Sequence, residues 1–310
     1  MPNRNSILAQ MLLLGAICLL PAVARAAVFV LPIDADAYLD SRAANASQNF
    51  GSSDSVKVLV NSAVAGDGSI CRGLLRLPAE LAWFDPADVV EARLRMYVWQ
   101  DNTGDRGISL FPLLRPFLEG SGNGDGASWL TSDGSNAWSS AGGDFDPNRG
   151  VEAVKEEVLD PDANDRFFSW NLLPLLTNEP ARSNLLAHGA LLRIDEEPYP
   201  PSGTLRAPFT SAEGFYSAEF KPHVRLVVSP KPPLLQSFSV AGSNLAVEVS
   251  PCSPLVSNRL EWTPSLSLSN GWSSVAVGSA VGTSGVWNVS VPFPETNGFF
   301  RIRILQQAAP

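Results

Sequence analysis

The stretch Ala92-Arg-Leu-Arg-Met-Tyr-Val-Trp99 decides the fold. Leu94, Met96 and Val98 alternate with Arg93, Arg95, Tyr97 and Trp99. Side chains on a strand leave alternate faces, so a period of two puts the aliphatic set on a core and the basic and aromatic set on the opposite face. Short runs of the same kind recur at Val56–Val60, Gly107–Phe111, Phe167–Asn171, Ala190–Ile194 and Val224–Val228. Gly, Pro, Asn and Asp clusters separate them. Strands punctuated by turn formers predict an all-β chain, a jelly-roll β-sandwich. Helix is expected only as one or two turns at Leu172–Asn178 and another at Pro86–Val90.

Working outward, Ser229-Pro-Lys-Pro-Pro-Leu234 breaks the composition, and closely spaced prolines favour an extended, stiff linker at 230–234. The jelly roll is therefore expected over 27–229 and a smaller β-sandwich domain over 235–310. The smaller domain's strands are expected around Arg259–Trp262, Gly285–Ser290 and Phe299–Ile304. Residues 1–26 read as a signal peptide: Arg4, then the apolar run Met11–Leu20, then Ala24-Arg-Ala26 as the cleavage site. The run is too short to span a bilayer, and no later segment is long and apolar enough for a membrane helix. An extracellular protein without membrane insertion is the expectation.

A net charge of −9 argues against nucleic acid as a partner, because that affinity rests on Lys and Arg neutralising phosphates. Of three cysteines, Cys18 lies in the signal segment. Cys71 and Cys252 could form one bridge in an oxidising compartment, or remain buried thiols. No disulfide framework can carry the fold, so apolar burial must.

The two histidines, His188 and His223, lie beside late strands with no Gly-x-Ser-x-Gly elbow, and there is no zinc or phosphate-loop motif. Paired carboxylates among Glu119, Asp144, Asp146, Glu156 and Glu157 keep a glycosidase in view, since that chemistry needs two acids at a set separation. A non-catalytic protein requiring no cofactor is preferred. Structural calcium, which takes six to eight oxygen ligands, would use Asp34 and Asp36. The loops Gly120–Gly126 and Asp160–Asp165 look superficially similar, but Asp, Asn and Gly are also ordinary turn formers.

Eight tryptophans can supply flat rings for the C–H face of a sugar. Tyr97 and Trp99, beside Arg95 and followed by Asp101 and Asn102, are the first candidate platform. Trp129 and Trp138 are the second, and Trp170, in an apolar run, is expected in the core.

The segments Asp36–Tyr38, Asn49-Phe-Gly51, Arg72–Arg76, Ala92–Val98, Phe117-Leu-Glu-Gly120, Ala137-Trp138, Gly142–Asp146 and Phe168-Ser-Trp170 follow in one succession. It continues through Gly189–Leu192, Phe209–Glu213 and Lys221–Leu226. In that order they resemble the DNRLRE, or disaggregatase-related, family over residues 28–229. The resemblance implies a secreted or cell-surface jelly roll grouped with carbohydrate-binding modules, and so a polysaccharide or cell-surface glycan as partner. The alternative is a structural scaffold or matrix component. The C-terminal stretch, with Leu260–Ser265, Asn270-Gly-Trp272 and Gly298–Arg303, resembles β-sandwich modules at the ends of secreted proteins, which implies no function.

Overall fold

A computed structural model describes residues 26–61, 69–122, 124–160, 164–195, 197, 203–229, 234–241, 244–250, 257–263, 273–278, 286–292 and 299–305. The expected signal segment up to residue 25, the core of the expected linker at 230–233, and Cys252 lie outside them. Two compact units are present, Val28–Val228 and the described residues after Ser229.

The larger unit holds β1 (Ala27–Pro32), β2 (Ala35–Asp40), β3 (Ser55–Asn61), β4 (Ser69–Arg76), β5 (Val89–Val98) and β6 (Ile108–Pro112). It continues with β7 (Val151–Asp160), β8 (Asp165–Asn171), β9 (Ala190–Ile194), β10 (Thr204–Thr210) and β11 (His223–Val228). Pairing runs β5-β10-β3-β4-β9-β6-β7-β8 and returns to β5, so eight strands close into a barrel-like sheet. Closure removes the unpaired edges that an open sheet would expose. The all-β expectation is met, with eight of the strands in one closed, barrel-like sheet. The joint between β5 and β10 is a single pair, Phe209 with Val98.

Alternation on β5 explains the core. Leu94, Met96 and Val98 are fully buried, and register sets Leu94 against Trp170 and Met96 against Phe168. Trp170 donates its indole N–H to the Ile108 carbonyl at 2.9 Å, and Phe209 meets the Phe168 and Trp170 rings edge-on. Burying each such side chain contributes about 2–3 kcal/mol. The opposite face pairs Arg95 with Ser169 and Tyr97 with Phe167 across β8, and His223 with Arg95 across β11.

A second apolar cluster joins Ala35, Ala37 and Leu39 of β2 to Leu74, Leu113, Phe117, Ala127, Trp138 and Leu191. It roots the long irregular stretch between β6 and β7. Two helices follow β8: α1 (Leu173–Leu176) and α2 (Ala181–His188). The sequence does not announce α2, because only Ala181 and Leu185 of it are buried, too narrow a stripe to read as periodicity.

The smaller unit contains β12 (Leu234–Ala241), β13 (Asn244–Ser250), β14 (Ser257–Thr263), β15 (Ser273–Gly278), β16 (Trp287–Pro292) and β17 (Phe299–Leu305). They form two three-stranded sheets, β12-β13-β16 and β15-β14-β17. Val247, Val249, Trp287 and Val291 of the first share one apolar cluster with Leu260 of the second. Among the described residues no helix is long and apolar enough to cross a membrane.

Candidate functional site

The outward face of β5 is covered in part by the loop that joins β10 to β11. Phe220, near the end of that loop, lies parallel to Phe167 with centroids 6.0 Å apart, and meets Tyr97 at 4.6 Å. Tyr216 contacts Tyr97 at 5.9 Å and stacks on Trp99 at 5.9 Å with an interplanar angle of 18°. The result is a row of rings that begins beneath the loop and emerges at its tip. Tyr97 is only 7% exposed, Tyr216 is 39% exposed and its neighbour Phe215 is 93% exposed.

The expected platform of Tyr97 and Trp99 is therefore corrected. Tyr97 packs under the loop and donates its hydroxyl to Asp165, leaving Trp99, Tyr216 and Phe215 as the accessible rings. Arg95 is half-buried; its guanidinium bonds Glu156 and lies 4.2 Å from the Phe167 centroid. That bond holds the Glu156 carboxyl below its usual range. Asp101 is buried rather than available to a hydroxyl: it accepts from the Thr103 amide and hydroxyl and pairs with Lys155 and Arg166. Asn102 bridges to Arg206 and donates its side-chain amide to the Thr204 carbonyl.

The second expected group also separates. Trp138 is buried in the β2 cluster and donates its indole N–H to the Ser128 carbonyl at 2.8 Å, so it is core. Trp129 is half-buried with the Arg72 guanidinium over its ring at 5.1 Å.

The loop's first turn meets three carboxylates. Asp36, Glu119 and Glu213 each offer an oxygen within 4.8 Å of the others. Asp36, 1% exposed, accepts the Ala212 amide at 2.7 Å, while its own amide donates to Glu119 Oε1 at 2.7 Å. Burial pushes the Asp36 carboxyl up to about 8; the Ala212 hydrogen bond opposes the rise and the charges of Glu213 and Glu119 add to it. Burial also raises Glu119. Asp36 is closed off from solvent, and its trio with Glu119 and Glu213 brings three carboxylates together. It is the group of described residues that could hold calcium, with backbone and water supplying the remaining oxygens. Asp34, expected beside Asp36, is instead exposed and accepts the Ala79 amide at 3.1 Å.

Asn49 fixes Glu119. Its side-chain amide donates to the carbonyls of Glu119 and Ala127, and its oxygen accepts the amides of Gly51 and Gly122. Among the other acids weighed for catalysis, Asp144 accepts the Ser139 and Ser140 amides, Asp146 accepts the Asn148 amide, and Glu157 is exposed. His188 ends α2, and His223 contacts the Lys221 carbonyl through Nδ1 at 2.8 Å.

Phe215, Tyr216 and Glu213 escape a strand-based search, because they sit between strands. The available signal is Gly214-Phe-Tyr-Ser217, two large aromatics in a polar connection where turn formers are the norm. No protein-family model matches the chain, and no curated protein matches it.

Proposed function

We propose that this chain is an exported, non-catalytic polysaccharide-binding protein of the jelly-roll type that its resemblance to the DNRLRE family implies. The observation that supports the reading is the aromatic set formed by half-buried Trp99 with the exposed Tyr216 and Phe215. Two of its rings are stacked and the third is 93% exposed. Large aromatics usually bury their area within a soluble protein, and exposed apolar clusters mark interaction surfaces. Flat rings fit the C–H face of a pyranose.

The test is retention of the purified protein on a panel of insoluble and soluble polysaccharides. Trp99→Ala and Tyr216→Ala are each expected to weaken binding to the retained polymer about tenfold or more, the size of effect seen when an aromatic anchor is truncated. Phe215→Ala should do the same without lowering thermal stability, since that side chain is almost fully exposed. A folded protein retained on none of the polymers sinks the reading and favours the scaffold alternative, in which the β units space other proteins or pack against copies of themselves.

A further inference from the structure

We propose that Asp36, which at 1% exposure cannot reach a glycan itself, is a positioning residue that holds the β10–β11 loop so that Tyr216 and Phe215 are presented beside Trp99; this rests on the glycan-binding reading.

The loop is fastened at both ends. At its end, the Thr210 hydroxyl donates to the Phe220 carbonyl, and the Phe220 ring lies on Tyr97 and Phe167. At its start, the Ala212 peptide is gripped from two sides: its N–H donates to Asp36 Oδ2 at 2.7 Å and its carbonyl accepts from Lys221 Nζ at 2.6 Å. Gly214 then turns back, its amide bonding the Ser211 hydroxyl at 3.0 Å and the Ser211 carbonyl at 3.3 Å. Between these anchors residues 215–219 are all exposed. Without the Asp36 bond, the start of the loop would be held only by Lys221 on the Ala212 carbonyl and by the Ser211 amide on the Asp54 carbonyl at 3.3 Å, and the tip between it and Phe220 would be freer to move. A ligand would then have to immobilise the loop on binding, and ordering rotamer-rich groups subtracts directly from affinity. Asp36 is buried on β2, whose six residues are all buried and which pairs with β4, so its carboxyl is placed by that strand and not by the loop.

The experiment compares Asp36→Ala, Asp36→Asn and Lys221→Met with the wild type. It measures affinity for the polymer that retains the wild type, and amide hydrogen exchange at Ala212 and Gly214. Asp36→Ala is expected to weaken binding about tenfold and to speed exchange at both amides. Asp36→Asn keeps an acceptor of the same shape and is expected to restore both. Lys221→Met, which releases the same peptide by its carbonyl, is expected to weaken binding with the barrel intact, and so answers the question even if Asp36→Ala fails to fold. Wild-type affinity in Asp36→Ala or Lys221→Met would overturn the proposal. If the wild type binds no polymer, the glycan reading falls by itself, and unchanged exchange at Ala212 in Asp36→Ala would separately overturn the anchoring role.

Discussion

Raising the pH from 6.5 to 8 is expected to lower the thermal stability of the larger unit, and Asp36→Asn is expected to remove most of that loss. The sign follows from proton uptake. Asp36 holds its proton in the folded state up to about pH 8, whereas an unfolded Asp releases it near pH 4. Throughout that interval the folded state binds more protons than the unfolded one, so stability falls as pH rises, by at most about 1.4 kcal/mol per pH unit. Two opposing effects set the window for the measurement. His223 is held below its usual range by burial, with Arg95 adding to the effect, so its contribution is complete above the ordinary His value and is lost as pH falls through it. Asp40, Asp144 and Glu156 have lowered carboxyls, whose contribution is lost only under acid conditions. Above pH 6.5, then, the slope belongs to Asp36. Calorimetry from pH 6.5 to 8.5 decides it: a wild-type midpoint that is flat or rising, or an Asp36→Asn slope equal to that of the wild type, would show that Asp36 is ionised in the folded protein.

The barrel was legible wherever a strand has one wet face. β5 shows alternation because Arg93, Arg95 and Trp99 stay at least partly solvated while Leu94, Met96 and Val98 do not. On β2 all six positions are buried, Asp36 and Asp40 among them. Polar residues inside then break the pattern that a sequence search relies on. Each is held by partners supplied from far along the chain or by a local turn: Asp36 by Ala212, and Asp40 by Arg42 and Asn45. Such partners have no spacing rule.

The same reason limited the site. Alternation correctly set Tyr97 and Trp99 on the outward face of β5, but it could not reveal that a later loop would cover the first ring and stack on the second. Trp138 and Trp129 sit in a stretch without periodicity, where only the tertiary cluster around Leu39, Leu113 and Leu191 tells the buried indole from the half-buried one. Asp34 and Asp36 are two apart on the chain, yet Asp34 lies before the strand and turns outward. Proximity in sequence was a poor guide to proximity in space; Glu119 and Glu213, distant in the chain, are the carboxylate neighbours of Asp36.

Gly51→Ala is expected to be among the more damaging glycine substitutions, lowering stability by about 3 kcal/mol or more. A Cβ at residue 51 would stand 2.0 Å from the Glu119 carbonyl oxygen and 2.8 Å from that of Gly120. Both are backbone atoms, so no rotamer change relieves the overlap, and the two segments must separate. Overpacking of this kind costs about 1–3 kcal/mol by itself. Separation also breaks the bonds from Asn49 to the Glu119 and Ala127 carbonyls and to the Gly122 amide, each worth about 1 kcal/mol net. Asn49→Ala loses those bonds without the clash and is expected to cost less than Gly51→Ala. Displacing Glu119 takes away the acceptor of the Asp36 amide, so Gly51→Ala should also flatten the pH dependence by opening the trio to water. Urea unfolding of the three proteins settles the order. A Gly51→Ala loss below about 1 kcal/mol would mean that the stretch between β6 and β7 can move as a unit, and that Glu119 is not held rigidly against Asp36.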